Sequence, residues 1–202
     1  NSFDNMETKQ IGFQLKSKKL LDFELDYTTI TNYAYFTKSI TDNLLKPNQY
    51  NEAINYLRAK LGKEITYGKF ALNNTIRYQN VLDGKGILNV PELILRNTLY
   101  YSNNFFDKAL FLQAGITFSY FSKYNMNGYD PLLAEFYVQN ENQLGGFPRM
   151  DFFINAKIRQ TRFFLKAEHF NSSITGYNFY SAPNYIYRDF AIRFGLVWNF
   201  FL

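Results

Sequence analysis

The chain has 202 residues, a net charge of +5 and no cysteine, so neither a disulfide framework nor thiolate chemistry is open to it. Phe, Tyr and Trp make up 20% of it, while its hydrophobic fraction of 47% is ordinary. No apolar run approaches the roughly 18 residues of a membrane helix, and the positive charge is spread without a basic run or RNA-binding signature, which argues against nucleic acid.

In chain order, nine segments alternate with a period of two, the mark of a strand with one dry face. Residues 9–16 place Ile11, Phe13 and Leu15 on one face. Residues 20–30 place Leu21, Phe23, Leu25 and Tyr27 opposite Asp22, Glu24, Asp26 and Thr28. Residues 55–65 set Leu57, Ala59, Leu61 and Ile65 against Arg58, Lys60 and Glu64. Residues 70–79 set Phe70, Leu72, Ile76 and Tyr78 against Asn73, Thr75, Arg77 and Gln79. The next two, 93–101 and 109–121, carry Leu95, Leu99, Leu112 and Ile116 against Arg96, Thr98, Gln113 and Thr117. Residues 151–159 oppose Phe152, Ile154, Ala156 and Ile158 to Asn155, Lys157 and Arg159; residues 163–170 oppose Phe163, Leu165 and Ala167 to Lys166 and Glu168. The last segment runs from Phe190 through Ile192, Phe194, Leu196, Trp198 and Phe200 to Leu202, with Arg193 on the other side.

Nearly all charges share the face opposite the aliphatic one. A Lys or Arg on the lipid side at mid-bilayer costs roughly 2–4 kcal/mol, so the pattern fixes the register of a transmembrane strand. Lys63 is the main exception and is expected to snorkel near a strand end. Asn74 and Asn97 also fall among the aliphatics, and the pattern gives no reason for them.

Four connections are short, around Ser17–Lys18, Tyr67–Gly68, Asn103–Asp107 and Thr161. Four are long, at 38–51, 80–91, 124–149 and 172–188. With the C-terminus in the periplasm, every short turn falls on that side and every long loop outside, as in outer-membrane barrels. This requires that Glu135–Glu141 belong to a loop and not to a tenth spanning strand. The fold expected is all-β, an antiparallel transmembrane β-barrel with about nine strands in this chain. Single-chain bacterial barrels usually have an even count, and the chain opens on Asn1 with neither initiator Met nor leader. Both suggest the C-terminal part of a larger barrel, completed by N-terminal strands or by another chain. Tyr67, Phe70, Phe105, Phe106, Phe163, Trp198 and Phe200 would girdle the periplasmic rim, and Tyr27, Tyr78, Tyr120, Phe121 and Tyr187 the outer rim. The competing architecture is a soluble sandwich or lipocalin-like barrel, with the same apolar face turned inward.

The segment from Tyr56 to Leu202 resembles the putative porin family of Bacteroidota outer membranes. The resemblance rests on Leu61-Gly62-Lys63, Gly68-Lys69-Phe70, Asn74-Thr75-Ile76-Arg77-Tyr78-Gln79, Tyr129-Asp130-Pro131, Phe147-Pro148 with Asp151 and Phe153, and Gly195-Leu196-Val197-Trp198-Asn199-Phe200. It implies an outer-membrane barrel with no catalytic residue to transfer, and nothing before about residue 54 adds to it. The closing segment also resembles the recognition signal of outer-membrane proteins. Phe194, Leu196, Trp198 and Phe200 carry it, although Leu202 departs from an aromatic terminus, and the implied partner is the barrel-assembly machinery.

Candidate lumen-lining residues are Asp22, Glu24, Asp26, Arg58, Lys60, Arg77, Arg96, Lys157, Arg159, Lys166 and Arg193. The three acids on one strand are expected to pair with Arg58 and Lys60 on the next; the sharper alternative is a ladder that attracts cations. With Lys16 the bases outnumber the acids, Glu64 and Glu168 included, which would bias a pore toward anions. The loop 124–149 either folds into the lumen or stays on the surface. His169, the only histidine, is expected to point toward lipid at the outer rim; an acid orienter for a Ser172 or Ser173 site is missing, and so are companions for a metal site. The run Gly62 to Lys69 has the wrong spacing for a phosphate loop. No enzyme activity and no cofactor is expected. The function expected is passive diffusion of small hydrophilic solutes across a bacterial outer membrane. The alternatives are the barrel wall of a TonB-dependent-type transporter and a non-conducting barrel subunit of a secretion or surface-assembly complex.

Overall fold

Strand pairing in the computed structural model, which describes residues 3–17, 19–39, 41–175 and 179–200, follows chain order. The elements are β1 (Glu7–Leu15), β2 (Asp22–Thr31), β3 (Tyr33–Lys38), β4 (Leu45–Tyr50), β5 (Ile54–Tyr67), β6 (Phe70–Asp83), β7 (Leu93–Phe105) and β8 (Leu110–Phe121). They continue as β9 (Tyr124–Asn125), β10 (Gly128–Asp130), β11 (Glu135–Val138), β12 (Gln143–Leu144), β13 (Arg149–Ile158), β14 (Thr161–Glu168), the one-turn α1 (Ser172–Thr175), β15 (Tyr180–Ala182), β16 (Tyr185–Ile186) and β17 (Ala191–Trp198). Nine of these strands form one sheet in the order β1-β2-β5-β6-β7-β8-β13-β14-β17. Every neighbouring pair in it is antiparallel. The sheet is open: among the described residues β1 and β17 are its edges, and they run in the same direction.

The register joins the alternating segments face to face. Phe13 lies opposite Leu25, Leu25 opposite Ala59, Leu61 opposite Ile76, Leu72 opposite Leu99, and Leu99 opposite Ile116. Phe152 lies beside Ile116, and Leu165 lies between Ile154 and Phe194. The apolar rows therefore fuse into one continuous face. That face is open to its surroundings: Ile11 is 78% exposed, Leu99 53% and Phe194 82%. The strand residues of polar type that are buried, Asp26, Gln79, Thr117 and Asp151, all lie on the opposite, charged face. Apart from Gly128 and Pro183 in the loops, the buried apolar residues among those described are Ile54, Ala71, Val81 and Phe179. The accessible surface is 14010 Å², against about 9,900 Å² expected for a folded monomer of this mass. Such a chain has no dry centre of its own, which removes the soluble sandwich.

Connections sort by end. Short ones join β1 to β2, β5 to β6, β7 to β8 and β13 to β14; long ones join β2 to β5, β6 to β7, β8 to β13 and β14 to β17. Gly68 and Lys69 make a two-residue hairpin between the paired Tyr67 and Phe70, with Gly68 at φ 59. A positive φ at the first central position is what a turn twisting with its strands requires, and glycine takes it without strain.

Several boundaries differ from the sequence expectation. Asn32, at φ 56, turns the chain out of the wall after β2, and the long connection holds the hairpin β3–β4 instead of plain loop. The strand expected at 93–101 runs on to Phe105, and its turn falls after that residue. Residues Phe106, Asp107 and Lys108 in that turn all take positive φ. Strand β13 ends at Ile158, so the turn is Arg159–Gln160 and not Thr161. The closing strand spans Ala191–Trp198; Phe190 precedes it, Phe200 follows it and stacks on Trp198 at 4.8 Å, and Leu202 lies outside the described residues, as does Lys18 of the first turn.

The long connections fold on one another. Strand β11 pairs with β10 and, in parallel, with β3, giving a four-stranded sheet β10-β11-β3-β4 apart from the wall. Glu135–Val138 is thus loop structure and not a further spanning strand. Asn89, from the β6–β7 connection, donates to Gln139 O at 3.1 Å and to Asn140 Oδ1 at 3.2 Å, tying a third loop to the second.

Candidate functional site

The charged face of the nine-stranded sheet carries two ion-pair networks. The first lies where β2 meets β5. Opposed registration of Asp26 with Arg58 and of Glu24 with Lys60 brings unlike charges to the cross-strand spacing. Arg58 Nη2 reaches Asp26 Oδ2 at 2.6 Å and Glu24 Oε1 at 2.9 Å, and its Nε donates to Asp26 Oδ2 at 3.0 Å. Gln10 of β1 donates to the other Asp26 oxygen at 3.1 Å, and Lys60 lies 3.7 Å from Glu24. The expected pairing therefore holds for Glu24 and Asp26. Asp22 takes no part: its carboxylate accepts from Ser17 N at 3.2 Å and closes the turn before β2.

The second network lies at the long-loop end, across β13, β14 and β17. Asp151, 3% exposed, is approached by Lys166 at 3.2 Å and by Arg149 at 3.7 Å. Glu168 holds Lys166 at 2.9 Å, Arg193 at 3.0 Å and Arg188 at 3.6 Å. Asp151 is the acid that sequence reasoning left out of the lumen set. Its parity with Asn155 and Lys157 was legible, but its position at the first residue of the expected strand hid it. The same carboxylate accepts from the His169 backbone N at 2.9 Å.

His169 itself is a correction. It is fully buried, not turned to lipid. It follows β14 at φ 53, and this left-handed residue breaks the strand parity that aimed it outward. Its ring packs on Phe179 at 4.4 Å, with Nδ1 at 3.2 Å from Arg188 O and Nε2 buried with no hydrogen-bond partner among the described residues. Burial, then the neighbouring Arg149 charge, lowers its pKa; Asp151 and Asp189 oppose that. Two aromatics assigned to the outer girdle also turn inward. Tyr187 accepts from Arg149 Nη1 at 2.6 Å, and Phe121, on the charged face, packs on Phe147 at 5.6 Å.

Of the other expected lining residues, Arg77, Arg96 and Lys157 have no ion pair among the described residues. Arg77 Nε is buried with no hydrogen-bond partner among the described residues. Arg159 is corrected: at φ 51 in the β13–β14 turn it stands at the short-turn rim, not on the charged face of a strand. Lys157, Lys166 and Arg193 keep the charged-face parity expected of them.

The two amides without an account on the apolar face explain each other. Asn97 sits directly opposite Asn74 and donates to its Oδ1 at 2.6 Å. Lys63, one strand over, donates to Lys19 O at 2.6 Å in the first turn, which puts its ammonium at the short-turn rim.

A wall with an exposed apolar face, a charge-bearing opposite face and all short turns at one end is what an outer-membrane barrel presents. The family described as "Putative porin" matches residues 1–202, the whole chain. The chain belongs to this family. The match reaches further than the sequence resemblance, which stopped at about residue 54. No curated protein and no solved structure matches it. Membership in the porin family implies an outer-membrane protein, and no described helix is long and apolar enough to cross a membrane, which says nothing of strands.

Proposed function

We propose that this porin-family chain forms the wall of a bacterial outer-membrane β-barrel channel that passes small hydrophilic solutes down their gradients. The observation that carries the proposal is the sidedness of the sheet: the Leu, Ile and Phe rows are bare while Asp26, Gln79, Thr117 and Asp151 are protected. In water that distribution is unfavourable by roughly 25 cal/mol for each Å² of apolar surface. In a bilayer it is the stable one. The nine-stranded sheet would curve its charged face around a water-filled lumen, closed by further strands supplied upstream or by another chain. Solutes are sorted by size and by the wall charge. With Arg77, Arg96 and Lys157 uncompensated, that wall favours anions.

Phe194, Leu196, Trp198 and Phe200 would present the assembly signal to the barrel-assembly machinery from the edge strand β17 and the residues after it. No residue in this scheme makes or breaks a bond, and no cofactor enters.

Planar-bilayer recording of the purified full-length protein tests the proposal. Stepwise conductance with a reversal potential on the anion side is expected, and removal of residues 130–146, which include β11, is expected to raise the conductance. Folded protein that never conducts would sink the channel and favour a non-conducting subunit of an envelope assembly.

A further inference from the structure

Behind the rim of the charged face lies a cavity of about 320 Å³ that shares one residue, Arg149, with the second ion-pair network. Its floor is the sheet, with Ile94 of β7 and Phe121 of β8. It is also lined by Met126 and Phe147 of the β8–β13 connection and by Tyr180 and Tyr187 of the β14–β17 connection. Only two charged residues line it, Arg96 and Arg149, and both are cationic. They are placed by register: each stands directly opposite Ser119, Arg96 from β7 and Arg149 from β13. Strands spaced about 4.8 Å apart therefore hold the two arginine Cα atoms about 10 Å apart, one on each side of Ser119.

The two guanidinium groups differ in what already holds them. Arg149 donates from Nη1 to Tyr187, and its Nε is buried with no hydrogen-bond partner among the described residues, the Asp151 oxygen being 3.7 Å away. Arg96 has neither an ion pair nor a hydrogen bond from its side chain among the described residues. No acid lines the cavity. A largely apolar chamber with the exposed Arg96 guanidinium, the remaining donors of Arg149 and a serine at one edge is matched to an anion that carries an apolar body. A bare inorganic anion would lose its hydration against those walls. A sugar would find too few polar partners there for its hydroxyls.

We infer that this cavity is a binding site for small organic carboxylates with an apolar body, of the arylalkanoate type, held by Arg96, Arg149 and Ser119 at the mouth of the proposed lumen. The inference deepens the channel proposal, because only a lumen makes this the mouth of a route. A carboxylate captured here sits under the loops on the side where solute would enter, so the site acts as a selectivity station.

The test is calorimetric titration of the full-length protein, in non-ionic detergent, with 3-phenylpropionate. Saturable one-to-one binding is expected. Acetate, with the charge but no apolar body, and 3-phenylpropanamide, with the body but no charge, should each bind at least about tenfold more weakly. Arg96→Gln should weaken 3-phenylpropionate by about tenfold or more, and Lys108→Gln, in the distant β7–β8 turn, should leave it unchanged. Acid and amide binding alike, or Arg96→Gln binding as tightly as the parent, overturns the site; so does the absence of binding. The comparison of acid with amide needs no variant, so a misfolded Arg96→Gln does not spare the inference. Binding without bilayer conductance would keep the site and sink the channel; conductance without binding would do the reverse.

Discussion

At the residue scale, His169 shows where parity arguments stop. The alternation through Phe163, Leu165 and Ala167 is correct, and one left-handed residue after Glu168 reverses its continuation. Period two holds only while φ stays extended, and nothing in the sequence marks the switch, since His is not glycine. The buried neutral imidazole has a consequence for pH. Its pKa lies below the ordinary 6.5 because burial and Arg149 disfavour the charged form. The unfolded loop therefore takes up the proton first as pH falls. Packing around His169 is fully supported above about pH 6.5 and weakens as pH drops through the lowered pKa. Proteolysis of that connection should accelerate between pH 7.5 and 5.5. His169→Asn, which tolerates the positive φ but does not titrate, should abolish the pH dependence even if its basal cleavage is faster.

Between elements, the β2–β5 contact rests on Arg58. Pairing of Glu24 and Asp26 with this strand was readable because acids at two-residue spacing on one strand faced bases on the next, and antiparallel order left few registers. The fate of Asp22 was not readable, because the turn that recruits it depends on local backbone geometry. Asp26 is buried, so removing its partner leaves a protected carboxylate with Gln10 as its remaining side-chain donor among the described residues. Arg58→Met should lower folding stability in lipid vesicles by about 1–3 kcal/mol. Asp26→Asn combined with Arg58→Met should recover most of that loss, because no stranded charge remains. A double variant as unstable as the single would mean that Arg58 acts through packing alone. The loop strands β3, β4, β10 and β11 escaped the sequence for another reason. They pair with distant partners and, being off the wall, need not carry a long dry face.

The wall as a whole was the most legible part of the chain. Nine strands, their order and the sorting of short from long connections all follow from alternation, because each strand must put the same side toward the same medium. What alternation alone left open was which side. Exposure of the apolar rows supports lipid on their side, and that reading is open to experiment at one pair of neighbours. Leu99 lies on the bare face between Leu72 and Ile116, and Thr98 lies on the charged face between Asn73 and Thr117. Leu99→Arg should cost roughly 2–4 kcal/mol of folding in vesicles, while Thr98→Arg should cost far less. Equal penalties, or the reverse order, would turn the wall inside out.

The two unpaired margins of this wall point the same way, and that sets a rule of arithmetic for anything that seals it. Sewn directly together they would meet as a parallel seam, with slanted hydrogen bonds that are weaker per residue than the rest of the cloth. A patch that keeps every join antiparallel must contribute an odd number of strands, whichever polypeptide it comes from. One strand fits, or three, or seven; two never do.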